Sequence, residues 1–342
     1  MAERVLRIAT RRSALALWQA EHIAALIRAA RPGAEVELVH VVTEGDRDQQ
    51  TPLASLGGTG VFTREVQRAV LDDRADLAVH SLKDLPTAEE PGLVLAGVPA
   101  RASVRDLLVL PVTADGAQAD GPRHESPAAE NLLDVLPEGA VVGTASLRRQ
   151  AQLLHHRPDL QMTVIRGNVE TRLRKLDEGQ CAALVLAEAG LSRLDLLEGR
   201  QVIPLVPPLM LGAVGQGALG LECRQTDAEV IELLAELSVP GDRAGATAER
   251  RVLQELRAGC HAPLGAVTRL TEGQLTLECV VLSVDGTERI HTSASGPADS
   301  PDELGRQVAG QLLKLGAAEL LAPAGEGGIR LDTPESSQQG DG

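Results

Sequence analysis

Short apolar strand patterns that lead directly into helix patterns recur along this 342-residue chain. Near its start, strand patterns at 5–10, 35–43 and 75–80 alternate with helix patterns at 14–30 and 63–72. This alternation is typical of βαβ units and predicts a mainly parallel sheet covered by helices. Because the chain has one Trp, one Phe and no Tyr, we expect a core of Leu, Val and Ala.

The same alternation begins again after Arg101. Further elements are predicted there, namely strands at 107–110, 140–143, 162–165 and 182–186 and helices at 146–156 and 169–178. The stretch 113–131 is rich in Ala, Asp, Gly, Pro and Ser, which is typical of a flexible surface insertion. The Pro- and Gly-rich stretch 204–220 is predicted to carry the chain between domains.

After Gly241 the pattern becomes that of an α+β module. Its predicted elements are a helix at 242–257, strands near 263–270, 274–284 and 287–294, and a last helix at 301–321. The polar, Gly-rich residues 323–342 offer little apolar surface to bury, so they are predicted to be a disordered tail.

Charge and cysteine usage exclude several classes of protein. A formal net charge of −15 argues against nonspecific nucleic-acid binding, because no basic surface or aromatic stacking platform is evident. The N-terminal segment has no apolar signal core and no run reaches membrane-spanning length, so we expect a cytoplasmic protein without membrane contact. The four cysteines are widely spaced without a CxxC pair, so neither disulfides nor a metal site is expected.

Arginines cluster where the predicted strands lead into helices, although the whole chain is acidic. Three motifs share this position: Ala9-Thr10-Arg11-Arg12-Ser13, Thr144-Ala145-Ser146-Leu147-Arg148-Arg149-Gln150 and Arg166-Gly167-Asn168-Val169-Glu170-Thr171-Arg172. A helix N-terminus offers unpaired backbone N–H groups and the positive end of the helix dipole, and both favour an anion. Together the motifs predict a cleft for a ligand that carries many carboxylates or phosphates.

Lys83 and Asp84 follow the apolar strand predicted to end at residue 80. In open α/β sheets, functional groups gather at the carboxyl ends of the strands. Lys83 could bind a carboxylate as a point charge, and Asp84 could transfer protons or stabilise a cation. The alternative is a surface ion pair beside a turn that Pro86 ends.

Arg148 and Arg149 follow a buried strand and a Gly-Thr turn. Adjacent residues on a helix point about 100° apart, so these arginines are predicted to hold two different carboxylates. Thr144 or Ser146 is the predicted cap of this helix, as Ser13 is of the first. The alternative is a solvated helix face.

In the third motif, Asn168 is a predicted helix cap, and Gly167 allows the backbone to approach a ligand closely. The alternative is a capped helix with ordinary surface charges. A further glycine-rich loop at 57–63 could cradle an anion or act as a lid, but it lacks the ending of a Walker loop. Phe62, in this loop, is the only phenylalanine and could equally be a core residue.

Cys260 differs in context from the other cysteines. It lies in a Gly- and Pro-bounded turn, whereas Cys181, Cys223 and Cys279 lie in apolar runs and are predicted to be inert core thiols. An accessible loop thiol can act as a nucleophile. The alternative is a small residue in a tight turn.

Together these motifs resemble the porphobilinogen deaminase family, in its order and over nearly the whole chain. The resemblance rests on residues 6–11, 15–20, 80–84, 142–150, 166–169, 214–217 and 259–260. It implies an α/β fold of two periplasmic-binding-protein-like (type II) domains plus a smaller C-terminal α+β domain. The implied domains are 1–100 with 214–239, then 101–213, then 240–322, followed by the tail.

The resemblance also implies a monomeric transferase of tetrapyrrole biosynthesis. It would deaminate four porphobilinogen molecules and join them head to tail into hydroxymethylbilane, on a dipyrromethane cofactor that a thioether links to Cys260. Each pyrrole brings an acetate and a propionate, which bidentate arginines can hold. A carboxylate facing the pyrrole N–H groups would stabilise the cationic charge that develops when ammonia leaves.

Site residues are carried over from the family motifs as expectations. The implied catalytic residues are Asp84, Lys83 and Arg11. The implied cofactor-binding residues are Cys260, Ser13, Lys83, Asp84, Thr144, Ser146, Arg148, Arg149 and Gly167. The implied substrate-binding residues are Arg11, Arg149, Arg166, Arg172, Arg193, Phe62 and Gln216.

Three positions depart from the family pattern. Ala258 stands where a glycine is common, and its methyl would restrict the loop if that position required a positive φ. Glu170 replaces a frequent small residue, and Thr59 stands where a lysine is common, so no cationic role is expected for that loop.

Two other functions also fit the residues. One is a noncatalytic anion-binding protein that uses the same cleft and gives Cys260 no role. The other is a cysteine-dependent hydrolase, in which Cys260 would react with iodoacetamide.

Overall fold

The computed structural model describes residues 5–42, 60, 63–112, 132–259 and 261–321, which contain three sheets. The first sheet has the strand order β2-β1-β3-β10-β4. Its strands are β1 (Leu6–Arg11), β2 (Val36–Val41), β3 (Leu77–Ser81), β4 (Leu93–Gly97) and β10 (Leu219–Arg224). Strand β1 pairs in parallel with β2 and β3, whereas β10 is antiparallel to both β3 and β4.

Helices cover both faces of this sheet because β1 presents apolar side chains alternately to each face. Ile8 packs with Ile23 of α1 (Ala14–Ala30), and Ala9 packs with Val66 of α2 (Arg64–Leu71). Helix α6 (Ala228–Glu236) packs on the α1 side. The predicted cap of α1 is confirmed, since the Ala16 N–H donates to Ser13 Oγ over 3.4 Å.

The second sheet repeats this plan in the order β7-β6-β8-β5-β9. Its strands are β5 (Asp106–Val109), β6 (Val141–Gly143), β7 (Gln161–Thr163), β8 (Ala183–Ala187) and β9 (Val202–Leu205). Its helices are α3 (Leu147–His156), α4 (Val169–Asp177) and α5 (Glu188–Arg193). The predicted cap of α4 is confirmed, because Asn168 Oδ1 accepts from the Thr171 N–H over 2.8 Å.

The prediction of mainly parallel sheets holds for most strands but misses one antiparallel strand in each. These strands are β10, in the first sheet, and β5, which runs antiparallel to β8 and β9. Each follows a direct crossing of the chain from the other sheet, at 98–105 for β5 and at 206–218 for β10. A strand reached without a helical crossover is free to run antiparallel.

The third sheet is antiparallel in the order β11-β12-β13. Its strands are β11 (Leu264–Thr271), β12 (Gln274–Leu282) and β13 (Arg289–Pro297), packed with helices α7 (Pro240–Glu255), α8 (Pro301–Lys314) and α9 (Ala317–Leu321). The predicted single helix at 301–321 is wrong: the chain interrupts it at Gly316, whose φ of +93° is not helical. The predicted fold class is confirmed, with two α/β units and a smaller α+β unit.

Five elements of the two α/β units lie outside the predicted set: β4, β9, β10, α5 and α6. The predicted insertion at 113–131 and tail at 323–342 lie outside the described residues. Among the described helices, none is long and apolar enough to cross a membrane.

The two crossings between the α/β units touch at Gly217. Its φ is +82°, its carbonyl accepts from the Ala102 N–H over 3.1 Å, and a Cβ there would lie 2.4 Å from the Ala102 oxygen. Only glycine fits this close approach without strain. The crossing brings the carboxyl end of β3 close to β5.

Candidate active site

Lys83 and Asp84 lie in a single 3₁₀ turn, Leu82–Asp84, directly after β3. The Leu82 N–H donates to the Ala218 carbonyl over 3.0 Å, and the Leu85 N–H closes the turn on the Leu82 carbonyl over 3.2 Å. The Leu82 side chain is buried, whereas Lys83 is half-buried and Asp84 is exposed. The backbone therefore presents both charged groups at the carboxyl end of the strand, as the sequence predicts.

The Lys83 ammonium lies near two guanidinium groups, those of Arg149 and Arg148, and two carboxylates, those of Asp84 and Asp106. Burial lowers its pKa to about 8, and the charge of Arg149 lowers it further than the charge of Asp84 raises it. Burial also lowers the pKa of Arg172 to about 10, again with Arg149 lowering it and Asp84 raising it. Asp84, Lys83, Arg149 and Arg172 thus share one electrostatic environment, with a surplus of positive charge.

Arg148 and Arg149 converge on one carboxylate. Arg148 Nη1 donates to Asp106 Oδ2 over 2.7 Å, while Arg149 donates to Asp106 Oδ1 from Nε over 3.0 Å and from Nη2 over 2.8 Å. Both arginines are buried, at 3% and 6% exposure. The prediction of two separate carboxylates is therefore wrong within the protein, and so is the solvated-face alternative.

The convergence has a structural cause. The first turn of α3 packs over β5 and β8, so Arg149 also donates to the Val185 carbonyl over 2.9 Å and Arg148 to the Leu211 carbonyl over 2.6 Å. The long, flexible side chains bend back to Asp106 despite diverging at their Cα atoms. Burial alone would raise the pKa of Asp106, but the two guanidinium groups outweigh it and hold that pKa well below its usual range.

Arg148 Nε is buried and has no hydrogen-bond partner among the described residues. Burial lowers the pKa of Arg148 despite the nearby Asp106 carboxylate. A buried donor without an acceptor is rare in native proteins, and it fits a site that an anionic group completes.

Gln216 connects the turn to this arginine pair. It is fully buried, and its Nε2 donates to Asp106 Oδ1 over 3.0 Å and to the Val104 carbonyl over 2.8 Å. Its Oε1 lies 3.5 Å from Lys83 Nζ. The residue predicted to bind substrate therefore also bridges Lys83 and Asp106.

The third motif forms a tight turn in front of α4. Gly167 has φ +118°, and a Cβ there would lie 2.7 Å from Thr171. Arg172 Nε donates to the Gly167 carbonyl over 2.8 Å, and Lys175 donates to the Arg166 carbonyl over 3.1 Å. The glycine is required by the turn itself, and Arg172 faces back towards the start of its own helix.

Thr144 and Ser146 have different roles at the start of α3. Thr144 Oγ1 accepts from the Ser146 N–H over 3.2 Å. Ser146 occupies the cap position, but its side chain makes no capping bond. The Ser146 hydroxyl therefore does not cap α3, so the prediction is wrong for this residue. The Thr144 hydroxyl accepts only from the N–H of the cap residue itself.

Arg193 and Arg11 belong to different α/β units. Arg193 Nη2 donates to the Gly217 carbonyl over 2.8 Å, and its guanidinium carbon lies 5.5 Å from the centre of the Trp18 ring. The Trp18 ring stacks on His22 at 5.0 Å. Burial lowers the pKa of Arg193 to about 10. Arg11 ends β1, at the same edge of the first sheet as the end of β3.

A cleft joins the turn to the chain that precedes Cys260. Its volume is about 100 Å³, and its lining includes Lys83, Pro86, Arg250, Ala258 and Gly259. Ala258 does not adopt a positive φ, so an alanine in place of the family's common glycine causes no strain there. The neighbouring Arg257 does adopt a positive φ, of +50°. Cys260, Phe62 and Thr59 lie outside the described residues.

The other three cysteines are buried and free. Burial raises the pKa of all three thiols, that of Cys223 to about 12. A thiol that does not ionise is a poor nucleophile. The prediction that Cys181, Cys223 and Cys279 are inert core residues is confirmed.

The sequence reasoning missed Asp106 and Arg250. Asp106 begins an apolar run, Asp106-Leu107-Leu108-Val109, and is almost fully buried. A carboxylate at the start of a buried strand needs a cationic partner, which is a signal that the sequence contains. Nothing in its local pattern distinguishes Arg250 from the other arginines of α7.

These observations define a class of protein: two α/β units joined by crossing connections, with desolvated cations gathered at their facing edges for an acidic ligand. Family models identify the class further. The model described as porphobilinogen deaminase, dipyromethane cofactor binding domain, matches residues 6–232, and that of the porphobilinogen deaminase C-terminal domain matches 244–314.

Curated relatives agree with the family models. The chain is 46% identical over 316 residues to the porphobilinogen deaminase of Desulforudis audaxviator, covering 92% of this chain and 96% of the relative. It is 44% identical over 322 residues to that of Syntrophotalea carbinolica, covering 94% and 96%. The chain belongs to the porphobilinogen deaminase family. The predicted transferase activity, which makes hydroxymethylbilane from porphobilinogen, and the predicted dipyrromethane cofactor are thereby confirmed.

Solved structures of other proteins are similar to parts of this fold. The effector-binding domain of BenM with its effector benzoate matches 69% of this chain and 93% of that one, at 16% identity and a TM-score of 0.39. The reduced OxyR regulatory domain from Pseudomonas aeruginosa matches 68% and 95%, at 13% identity and a TM-score of 0.35.

Proposed function

We propose that this chain condenses four porphobilinogen molecules into hydroxymethylbilane at the facing edges of its α/β units, with Asp84 as the catalytic carboxylate. One observation carries the assignment of the site: Lys83, Arg148, Arg149 and Arg172 outnumber the carboxylates beside them. This surplus suits a growing chain of pyrroles, in which each unit adds an acetate and a propionate.

The dipyrromethane cofactor, when bound, supplies the primer to which pyrrole units are added. The residues fit such a group, because Arg148 Nε is a buried donor to which the described residues offer no acceptor, and the cations around it are desolvated. Attachment through Cys260 is supported by Ala258 and Gly259, which line the same cleft as Lys83. Ser13, Thr144, Ser146 and Gly167 would surround it with hydroxyl and backbone groups.

Asp84 would act through its charge and as a proton carrier. Its carboxylate is exposed at the end of the 3₁₀ turn, where Lys83 and Arg172 attract it. From this position it can accept hydrogen bonds from pyrrole N–H groups and stabilise positive charge as ammonia leaves. It can also hold and return the proton that moves when a new carbon–carbon bond forms.

The remaining cations would hold the carboxylates of cofactor and substrate. Lys83 acts as a point charge, and Arg11 would assist it at the neighbouring end of β1. Substrate carboxylates would bind to the guanidinium groups of Arg149, Arg166, Arg172 and Arg193, with Gln216 and Phe62 completing the subsite. Asp106 orients Arg148 and Arg149 and is a positioning residue.

The proposed domains are 1–100 with 214–239, 101–213, and 240–322. The sheet order supports this division, since β10 returns to the first sheet after β9 has completed the second. We further propose a cytoplasmic monomer that binds neither nucleic acid nor membrane, in agreement with the acidic net charge of −15.

The role of Asp84 is tested by Asp84→Asn, which keeps the shape of the side chain and removes its charge. We expect the variant to retain the covalent cofactor in its intact mass and to lose on the order of 100-fold or more in kcat, as for other preorganised electrostatic groups. Glu90→Gln, an exposed carboxylate on the same connection, is the matched control and should leave kcat unchanged. Hydroxymethylbilane formation by Asp84→Asn at the wild-type rate would remove Asp84 from the mechanism.

A further inference from the structure

Arg250 makes a two-pronged contact with the chain that follows the catalytic turn. From helix α7, its Nη1 donates to the Leu85 carbonyl over 2.9 Å, and its Nη2 donates to the Pro86 carbonyl over 2.7 Å. The planar guanidinium suits two parallel bonds of this kind. One side chain of the third unit therefore holds two consecutive peptide groups of the first.

The contact is an unusual use of a buried charge. Among the ion pairs of the described residues none involves Arg250, so its charge is opposed at longer range by Glu222 and Glu89. Burial of the Arg250 guanidinium lowers its pKa more than the two distant glutamates raise it. A desolvated guanidinium that bonds only to neutral carbonyls contributes little net stability, which favours a role in geometry.

The two carbonyls lie where they control the turn. The Leu85 N–H closes the 3₁₀ turn on Leu82, and the Leu82 N–H is held by the Ala218 carbonyl. The turn is thus anchored by β10 at its start and by Arg250 just beyond its end. Asp84 lies between these anchors, and its exposed side chain depends on the backbone for its position.

The same helix leads to the cofactor segment. After Arg250, α7 continues to Glu255, and the chain then reaches Ala258 and Gly259, directly before Cys260. Arg250, Leu253, Ala258 and Gly259 line one side of the cleft that Lys83 and Pro86 line on the other. Arg250 is therefore the hydrogen-bonded link between the segment before Cys260 and the turn that carries Asp84.

We propose that Arg250 is a positioning residue that sets the distance between Asp84 and the cofactor segment by holding the Leu85 and Pro86 carbonyls. The inference rests on the proposed role of Asp84. Arg250 itself touches no reacting atom. Its loss should slow the chemical step, since a displacement of about 1 Å at a catalytic group can cost on the order of 100-fold in rate.

The test compares Arg250→Gln, Arg250→Lys and the matched control Arg243→Gln. Arg243 is exposed on the same helix and also donates to a carbonyl of the first unit, that of Ala96 over 3.3 Å, but away from the turn. The kinetic constants for porphobilinogen are measured per molecule that carries the cofactor mass, together with the melting temperature. Hydrogen exchange is followed in the peptide that spans residues 82–88.

We expect Arg250→Gln to lose about 10- to 100-fold in kcat with KM changed less than about threefold, because the geometry of the reacting groups is altered and substrate binding is not. Exchange at 82–88 should quicken in this variant alone, Arg250→Lys should regain part of the rate, and Arg243→Gln should match the wild type. Should Arg250→Gln yield no folded protein, Arg250→Lys carries the test, with a kcat below that of Arg243→Gln expected.

Two results would overturn the inference. One is an unchanged kcat in Arg250→Gln. The other is a loss that disappears when rates are expressed per cofactor-bearing molecule, which would make the residue merely structural. Failure of the proposed function looks different, since the wild-type protein would then form no hydroxymethylbilane from porphobilinogen.

Discussion

Replacing Asp106 with Asn tests the buried ion pairs that the Asp106 carboxylate forms with Arg148 and Arg149. The Asp106 carboxylate accepts four hydrogen bonds of 2.7–3.0 Å, one from Arg148, two from Arg149 and one from Gln216. The amide keeps the shape but removes the negative charge that these two buried guanidinium groups contact directly, the only one they contact within the described part of the chain. Asp106→Asn therefore leaves two desolvated cations without a counter-charge.

The expected loss is large. Removing one partner of a buried ion pair typically costs about 3–5 kcal/mol in the free energy of unfolding. At about 2 °C per kcal/mol for a chain of this size, the melting temperature should fall by roughly 6–10 °C at pH 7. The KM for porphobilinogen should also rise, because Asp106 no longer orients Arg149.

The pH dependence gives a second, independent signature. The pKa of Asp106 in the folded protein lies well below its ordinary value of 3.8. A depressed carboxylate pKa contributes stability that is present above the unfolded value and is lost as the pH falls below it. The difference in melting temperature between wild type and Asp106→Asn should therefore persist from pH 7 to about pH 4 and narrow below that.

Scanning calorimetry measures both effects, with Asp159→Asn as the control. Asp159 pairs with Arg157 over 2.7 Å, and the two side chains are 29% and 21% exposed, so solvent screens this pair and the control should lower the melting temperature less than Asp106→Asn does. Equal shifts in the two variants, or an unchanged melting temperature in Asp106→Asn, would refute the view that Asp106 neutralises the arginine pair.

Two other predictions concern single side chains. Because burial lowers the Lys83 pKa to about 8 from 10.5, kcat/KM should fall as the pH rises through 8, and Lys83→Arg should move this alkaline limb upward; coincident limbs would contradict the assignment. Between about pH 8 and 10.5 the unfolded chain still binds this proton, whereas the folded protein has lost it. The contribution of Lys83 to the free energy of unfolding should therefore rise with pH over this range. Trp18 is the only tryptophan and is already 36% exposed, so Arg193→Ala should expose its ring further and shift its fluorescence to longer wavelength, whereas an unshifted spectrum would show that the contact is absent in solution.

Local patterns were sufficient for much of the fold. Helix caps such as Ser13 and Asn168 act within three residues, so the sequence around them contains the whole interaction. The turn at Lys83 and Asp84 was predictable for the same reason, because a buried strand ended by a polar turn is a short-range signal. Antiparallel β5 and β10 were not, since their direction depends on the route of the chain between two sheets.

The arginine pair shows where local reasoning failed. The 100° separation of Arg148 and Arg149 on a helix predicts divergence, yet side chains of this length can curve around a third residue. That residue, Asp106, lies 42 positions from Arg148 in the chain, and its proximity arises only when α3 packs on β5. Long-range partners of this kind cannot be derived from the spacing of a motif.

The most direct test of the account is the mass of the protein as it is purified from a cell that makes haem. The intact mass should exceed that of the polypeptide by two pyrrole units derived from porphobilinogen, and peptide mapping should locate them on Cys260. The protein should also give colour with Ehrlich's reagent, and iodoacetamide should leave the modified sulfur unalkylated. An unmodified polypeptide, or pyrrole units on a cysteine other than Cys260, would contradict the assignment of this cleft as a site for tethered pyrrole synthesis.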